Sequence, residues 1–225
     1  MASDQYLGKV KHYFSLHREE MAPFVPNGIR TLLEVGCGTG AFASSLKVQR
    51  GIHVTGIEPQ PSAAETASAV LDRVLALDVD AGLSELKGEK FDCVVFNDVL
   101  EHLVDPWNAL TKVGHLLAPG GVVVASIPNI RYMPALKEFV IGGDWRYQVD
   151  GVMDRTHLRF FTRKSIDSLF ASSGYRLQTV QGINGLTFPW KFALLNKLAG
   201  GRLDDTRYQQ FACVAKLRGE FEDIR

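Results

Sequence analysis

The chain has 225 residues, with 25 basic and 25 acidic side chains and 46% hydrophobic residues. This length and hydrophobic content suffice for one domain with a substantial core. The absence of net charge argues against a protein that binds nucleic acid by broad phosphate neutralisation, and no hydrophobic run approaches membrane-spanning length.

The cysteines and the N-terminal segment indicate a reducing compartment. Cys37, Cys93 and Cys213 are far apart, odd in number and lie in glycine-turn or apolar contexts. This pattern predicts buried thiols rather than disulfides or a zinc site. Residues 1–14 contain no hydrophobic signal-peptide region, so we expect a soluble cytoplasmic protein without a membrane span.

The first half of the chain alternates between strand and helix patterns. Residues 9–22 have apolar side chains at helical spacing and predict an amphipathic helix that ends before Pro23. Apolar runs predict strands at 31–34, 52–58, 74–79, 91–96 and 122–127. Between them, helices are predicted at 40–49, 62–70 and 106–117. Strands that alternate with helices in this way predict a doubly wound, mostly parallel α/β sheet.

Two long connections interrupt this order in the second half of the chain. Residues 129–161 are rich in aromatic residues and arginine, and their length predicts a lid inserted after strand five. Thr162 is a predicted N-cap for a helix over 163–173. Residues 183–207 are irregular with an apolar face, which we interpret as core or as a homodimer contact. The last two strands are predicted at 175–182 and 211–217, which completes seven strands in a single domain over 1–225.

A glycine turn and acids at the predicted strand ends indicate a nucleoside ligand. The turn 36–40 has glycines spaced GxGxG, without the GxGxxG spacing that places a pyrophosphate on a helix N-terminus. Glu34 suits a cationic or amino-bearing ligand, Glu58 can accept both ribose hydroxyls, and Asp78 could accept from an adenine amino group. Together these acids predict a nucleoside with a positive tail and no phosphate.

The segment 30–128 resembles class I S-adenosylmethionine-dependent methyltransferases. The resemblance is carried by EVGCGTG after the first strand, by the acids near the ends of the second and third strands, and by NDVLEHLVDP after the fourth. It implies a Rossmann-like fold, an antiparallel last strand and S-adenosylmethionine as cofactor. Glu34 departs slightly from many members, which have aspartate there, but it keeps the charge. The implied cofactor-binding residues are Glu34, Gly36, Cys37, Gly38, Thr39, Gly40, Glu58, Pro59, Asp78, Asn97 and Asp98.

Two further segments are similar to the ubiquinone-type branch of small-molecule and sugar methyltransferases. They are residues 154–177 and an aromatic and basic pair, Tyr13 and Arg18, which the resemblance adds to the cofactor site. The resemblance implies methyl transfer to a hydroxyl, first of a sugar or glycan precursor. N- or C-methylation of another metabolite, such as a quinone precursor, and an inactive cofactor-binding partner subunit stay open as alternatives.

Methylation of an alcohol removes a proton, so a general base would help. The candidates are His157, His102 and Asp98. Arg155 and Arg159 flank His157 and would favour its neutral form, although His157 could equally anchor the lid. His102 could instead cap the following helix, and Asp98 could be a solvated carboxylate. No set of acids and histidines has convincing metal-ligand spacing, so no metal is expected, although Asp98, Glu101 and His102 leave a metal site open as an alternative.

The predicted lid is both basic and aromatic. Arginine suits carboxylate or phosphate groups, and flat aromatic rings suit sugars, so we expect an anionic or sugar-containing acceptor there. Alternatively, the arginines pair with acids of the same segment. The candidate substrate-binding residues are Arg131, Tyr132, Trp145, Arg146, Tyr147, Arg155 and Arg159.

Overall fold

The computed structural model describes residues 17–219, which form one seven-stranded sheet flanked by helices. The strands are β1 (Thr31–Val35), β2 (His53–Ile57), β3 (Arg73–Leu75), β4 (Phe91–Asn97), β5 (Leu117–Pro128), β6 (Tyr175–Gly185) and β7 (Tyr208–Leu217). The helices are α1 (Ala41–Arg50), α2 (Pro61–Ser68), α3 (Val79–Glu85), α4 (Pro106–Gly114), α5 (Met133–Val140), α6 (Arg163–Ser172) and α7 (Trp190–Leu198). Short 3-10 helices span Glu19–Phe24, Leu100–His102 and Asp204–Arg207.

The strand order is β3-β2-β1-β4-β5-β7-β6. The five strands β1 to β5 are parallel, and β7 is antiparallel to both β5 and β6, which confirms the predicted doubly wound sheet and its antiparallel last strand. The winding reverses between β1 and β4. Their carboxyl ends therefore border the crevice where ligands bind in open α/β sheets.

The core lies on both faces of the sheet, as parallel strands require. Along β4, Val94 and Phe96 pack into the layer of α4 and α6, whereas Cys93 and Val95 face the layer of α1. The three cysteines are buried and free, which confirms the prediction made for them. Within residues 17–219, no helix is both long and apolar enough to cross a membrane.

Two predicted elements, the N-terminal helix and the third strand, differ from the structure. Residues 17 and 18 of the predicted N-terminal helix are not helical, and Glu19–Phe24 is a 3-10 helix that contains Pro23; a proline has no amide to continue an α-helix. Residues 9–16 lie outside the described residues. The third strand ends at Leu75, and Asp78 caps α3 by accepting from the Ala81 amide at 2.9 Å, because an aspartate satisfies a free amide there.

The connections after β5 and β6 are more regular than predicted. The segment 129–161 contains α5, and its two ends meet where the Ile130 amide donates to the Phe161 carbonyl at 2.9 Å. The segment 183–207 contains the end of β6 and α7. The hydrophobic pattern alone did not separate these short helices from irregular chain. Thr162 caps α6 and forms a capping box with Ser165, which confirms its predicted role.

The pairing of β6 with β7 depends on Gly182. A Cβ atom there would lie 2.1 Å from Cγ of Tyr208, so Gly182→Ala must displace the ring at the start of β7. We expect this overpacking to lower the free energy of unfolding by about 1–3 kcal/mol. Chemical denaturation should show the loss, and Thr179→Ala, an exposed position on the same strand, is the matched control. If the two variants are equally stable, the Tyr208 ring moves aside without lowering the free energy of unfolding.

Candidate active site

The predicted cofactor residues gather at the carboxyl edge of the sheet. The turn after β1 is held against β2 by the amides of Gly36 and Cys37, which both donate to the Ile57 carbonyl oxygen at 2.8 and 3.1 Å. Gly36, Gly38 and Gly40 have φ values of 71°, 55° and 79°, a left-handed region that favours glycine. This local geometry explains the GxGxG spacing.

Glu58 follows β2 and is buried beside this turn, with 4% of its surface exposed. Its Oε2 accepts from the Gly38 amide at 2.9 Å, and its Oε1 accepts from the Gln60 amide at 2.9 Å. Burial raises the pKa of Glu58, and these two amides oppose the rise. Each carboxylate oxygen keeps a second lone pair, so Glu58 can still accept from a ligand. Pro59, the next residue, is half-buried.

Glu34 lies in β1 and is buried, with 2% of its surface exposed. Asn97 Nδ2 donates to its Oε1 at 3.2 Å, but its Oε2 has no hydrogen-bond partner. Burial is the main cause that raises the pKa of Glu34 to about 8. A buried carboxyl group with an unpaired oxygen is costly unless a cation or a donor meets it. The residues present therefore fit the amino group and positive charge of S-adenosylmethionine.

The remaining predicted cofactor residues are placed as follows. Cys37 is buried and Thr39 is half-buried in the glycine turn, whereas Asp78 is exposed beyond β3 with its side chain on the Ala81 amide. Whether Asp78 contacts adenine stays a prediction. Tyr13 lies outside the described residues.

Asp98 lies at the centre of a polar network at the end of β4. Its backbone is left-handed, with φ of 54°, which few non-glycine residues adopt. Arg18 Nη1 lies 2.8 Å from Asp98 Oδ2. Gln210 Nε2 and Ser126 Oγ donate to Asp98 Oδ1 at 2.7 and 2.9 Å. Both carboxylate oxygens therefore already have partners.

The sequence analysis did not find Ser126 and Gln210. Ser126 stands in the apolar strand β5, and Gln210 precedes an apolar run in β7; both are buried. A polar residue within a buried strand was the available signal, because such a group needs a partner. Arg18 also donates to Ser126 Oγ at 2.7 Å, so its side chain joins the Asp98 network, and its contact with the cofactor stays a prediction.

A second cluster joins both candidate histidines to Glu101, which the sequence analysis considered only as a possible metal ligand. Glu101 is 1% exposed, and neither of its carboxyl oxygens has a hydrogen-bond partner. His157 Nε2 lies 3.9 Å from Glu101 Oε1. The His102 and His157 rings meet edge to face with centroids 4.7 Å apart. Burial, and then the nearby carboxylate of Asp98, raise the pKa of Glu101 well above its usual range.

Backbone contacts orient both imidazoles. His102 Nδ1 lies 3.1 Å from the Thr156 carbonyl oxygen, and His157 Nδ1 lies 3.1 Å from the Val152 carbonyl oxygen. Because a carbonyl oxygen can only accept, each neutral ring carries its hydrogen on Nδ1 and leaves a lone pair on Nε2.

The cluster of Glu101, His102 and His157 can therefore accept protons. Its possible ligand atoms all lie within 4.8 Å of one another, so it could also receive a cation. The expectation that no metal takes part stays a prediction. The adjacent Glu and His in LEH were visible in the sequence, but the approach of His157 was not.

The arginines of the predicted lid make contacts within the protein. Arg146 Nε lies 3.2 Å from Asp144 and 3.6 Å from Glu138, one of the pairings considered as the alternative to substrate binding. Arg131 Nη2 donates to the Arg202 carbonyl oxygen at 3.0 Å.

Of the other residues predicted to bind the acceptor, some contact the rest of the protein and some are exposed to solvent. Arg159 donates to the Val104 carbonyl oxygen and Trp145 packs edge to face on Phe139 and Phe160. Tyr147 and Arg155 are exposed and Tyr132 is half-buried. Contact of this set with an acceptor stays a prediction.

Comparison with known proteins places this geometry in a family. A family model described as a methyltransferase domain matches residues 6–180. The chain is 28% identical over 183 residues to a ubiquinone biosynthesis O-methyltransferase of Cereibacter sphaeroides (strain KD131), across 79% of this chain and 72% of that relative.

Solved structures share the fold. A SAM-dependent methyltransferase of Thermotoga maritima, described as a possible histamine N-methyltransferase, aligns with a TM-score of 0.66 and 19% identity over 96% of this chain and 99% of its own. A SAM-dependent methyltransferase of Archaeoglobus fulgidus aligns with a TM-score of 0.64 and 17% identity, over 95% and 97% of the two chains. The chain therefore belongs to the methyltransferase-domain family and is a class I enzyme that uses S-adenosylmethionine as its methyl donor.

Proposed function

We propose that this enzyme methylates a hydroxyl group of a small molecule. The observation that carries the proposal is the buried Glu101 carboxyl just after β4, whose Oε1 lies 3.9 Å from His157 Nε2. A hydroxyl loses its proton when it attacks the methyl group, and a positioned base assists that step. A thioether or an already deprotonated carbon acceptor would not need such a group.

We propose that the donor lies along the glycine turn. Glu34 would bind the amino group of its methionine part, Asn97 would line that part, and Glu58 would accept from both ribose hydroxyls. When bound, S-adenosylmethionine supplies a methyl group on a positively charged sulfur. The protein then contributes mainly by holding the two reactants in line. The other residues proposed to line the donor are Gly36, Cys37, Gly38, Thr39, Gly40, Pro59, Asp78 and Asp98, with Tyr13 and Arg18 from the N-terminal segment.

We propose His157 as the proton acceptor. Its Nε2 lies 3.9 Å from Glu101 Oε1, and the carboxylate form of Glu101 would stabilise the imidazolium that proton uptake creates. Asp98 is the weaker candidate because Arg18, Ser126 and Gln210 occupy its oxygens. His102 would hold the His157 ring in place, because the two rings meet edge to face.

Two acceptor classes follow from different observations. The names of the curated relatives favour a hydroxyl of a quinone precursor. The sequence analysis favours a sugar or glycan precursor, but Arg146 and Arg131 of the predicted lid already have protein partners. We therefore place quinone-precursor phenols first and sugars second.

A panel assay tests the reaction and the acceptor together. Release of S-adenosylhomocysteine should be measured with catechols, other phenols, nucleotide sugars and matched amines. We expect turnover with a hydroxyl acceptor and none with the amines. Turnover with amines alone would contradict O-methylation, and donor binding without turnover on any acceptor would support the inactive partner subunit instead.

Donor affinity should depend on pH through Glu34. In the free protein the pKa of Glu34 is raised from about 4.5 to about 8, so the carboxyl is protonated at neutral pH, whereas an ammonium group prefers the carboxylate. Donor binding should therefore release a proton and strengthen by up to about tenfold per pH unit between about pH 6 and 7.5. The same pKa implies that folding is favoured at low pH: the unfolded state binds fewer protons between about pH 4.5 and 8, so the free energy of unfolding falls as pH rises through this window.

Calorimetry with S-adenosylhomocysteine, which keeps the amino group, measures this dependence. Glu34→Gln should bind with a nearly flat pH profile, and Glu101→Gln, which removes a buried acid outside the proposed donor site, should keep the slope. A slope that survives in Glu34→Gln would assign the proton to another group.

A further inference from the structure

One surface of α7 is apolar and exposed. Trp190, Leu194 and Leu198 recur every four residues, which places them on one side of the helix, and they are 73%, 52% and 79% exposed. Leu195 beside them is 53% exposed. We call these four side chains the α7 face. Exposed apolar side chains grouped in this way mark interaction sites.

The opposite side of α7 packs against the rest of the protein. Asn196 is buried; its Nδ2 donates to Asp204 at 2.7 Å, and its Oδ1 accepts from the Leu203 amide at 2.9 Å. Phe192 packs on Phe188 with ring centroids 4.6 Å apart. These contacts fix the rotation of the helix about its axis. The α7 face is therefore held outward by the fold.

The charge around this face is mainly positive. Residues 183–203 contain Lys191, Lys197 and Arg202 and no acidic residue, and the acids that follow, Asp204 and Asp205, pair with Arg207 and Arg131. Lys191 Nζ lies 5.6 Å above the Trp190 ring, so positive charge borders the apolar side chains. An indole ring and flanking lysines are the combination that settles at a lipid–water boundary, with the ring in the headgroup region and the cations near lipid phosphates.

The α7 face belongs to the same edge of the sheet as the active site. α7 connects the end of β6 to the start of β7, and these ends pair through Gly185 and Tyr208. The start of β7 in turn pairs with the end of β5, where Pro128 lies opposite Gln210. Gln210 is the residue that contacts Asp98, so the surface and the site share one edge.

The segment after β5 joins this region. Arg131 contacts Arg202 and Asp205, which ties the start of that segment to the chain following α7. Its helix α5 ends in a further exposed apolar run, Phe139, Val140 and Ile141, at 50%, 70% and 77% exposure. Both connections at this edge thus present apolar side chains to solvent.

We propose that the α7 face docks on an anionic phospholipid surface. Trp190, Leu194 and Leu198 enter the interfacial layer, and Lys191, Lys197 and Arg202 face the lipid phosphates. A second copy of the chain fits this face less well. A two-fold contact places like surfaces together, so the cations of both copies would meet, while the next acids along the chain, Asp204 and Asp205, already pair with Arg207 and Arg131. Docking brings the sheet edge that carries the proposed site to the membrane surface.

Sedimentation of the full chain with vesicles tests the proposal. The two vesicle types are pure phosphatidylcholine and an equimolar mixture of phosphatidylglycerol and phosphatidylcholine. We expect binding to the anionic vesicles that weakens with added salt. The variant Trp190→Ser/Leu194→Ser/Leu198→Ser should lose about tenfold or more in affinity, and Lys191→Glu/Lys197→Glu should lose the preference for anionic vesicles.

The matched control is Val48→Ser/Val104→Ser, which removes two exposed apolar side chains, 85% and 73% exposed, on α1 and before α4. It should bind as the unaltered chain does. No binding of the unaltered chain to anionic vesicles overturns the proposal, as does equal loss in the control. A dimer in sedimentation velocity that the triple-serine variant abolishes, without vesicle binding, also overturns it and assigns the face to a second copy. Vesicle binding is measured without turnover, so failure of the proposed reaction leaves this test intact.

Discussion

His157→Asn is expected to lower turnover by about 10²- to 10⁴-fold, the usual contribution of a positioned general base. Asparagine can still donate to the Val152 carbonyl oxygen that His157 Nδ1 contacts at 3.1 Å, but it has no basic atom at the Nε2 position. The loss should appear in kcat, with donor affinity unchanged, since His157 is not part of the proposed donor site. Steady-state kinetics and donor titration measure the two quantities separately.

The pH profile separates a base from an anchor. If His157 accepts the proton, the rate of the unaltered enzyme falls at low pH as the imidazole becomes protonated, and this limb disappears in His157→Asn. Glu101→Gln should lower turnover as well, because Glu101 lies 3.9 Å from the same Nε2 atom and its carboxylate form would stabilise the imidazolium.

The matched control is His115→Ala, at an exposed histidine after α4. It should leave the rate and its pH dependence unchanged. Turnover of His157→Asn equal to that of the unaltered enzyme would leave His157 as an anchor for the segment after β5.

Glu58→Ala is expected to weaken S-adenosylmethionine binding by about 10- to 100-fold. Charge-assisted hydrogen bonds contribute roughly 1.5–3 kcal/mol each, and each 1.4 kcal/mol is about tenfold in affinity. Glu58 also accepts from the Gly38 and Gln60 amides, so its removal loosens the turn in addition to removing the proposed ribose acceptor. Calorimetry with the donor and with S-adenosylhomocysteine measures the loss.

A ligand variant separates the two effects of Glu58→Ala. The unaltered protein should discriminate S-adenosylhomocysteine from its 2′-deoxyribose analogue, and Glu58→Ala should bind the two nearly equally, because the acceptor of the 2′-hydroxyl is gone. Undiminished donor affinity in Glu58→Ala would exclude Glu58 from the donor site. Weaker binding with full discrimination retained would assign its role to the turn alone.

The fold could be read from the sequence because its signals are local. Each buried parallel strand is a nearly continuous apolar run, and each helix between strands has its own period and cap, as Thr162 shows for α6. The errors fall where local signals conflict or are short. Asp78 looked like the end of a strand and is a helix cap, and α5 and α7 are single short helices within long connections.

The proposed donor half of the site could also be predicted from sequence, for a topological reason. In a doubly wound sheet the carboxyl ends of neighbouring parallel strands meet at one edge, so residues at successive strand ends, such as Glu34 and Glu58, come together whatever the intervening chain does. The glycine turn beside them can be recognised in the sequence by its GxGxG spacing.

The acceptor half was decided by tertiary structure. Ser126 and Gln210 reach Asp98 only because β7 inserts antiparallel beside β5. His157 lies beside Glu101 only because the chain after β5 folds back towards it. Contacts between distant segments depend on packing that no local pattern encodes. The sequence by itself therefore determined the fold and the methyl donor, whereas the cluster proposed to accept the proton and the outward orientation of the α7 face arose only from how the connections pack at the sheet edge.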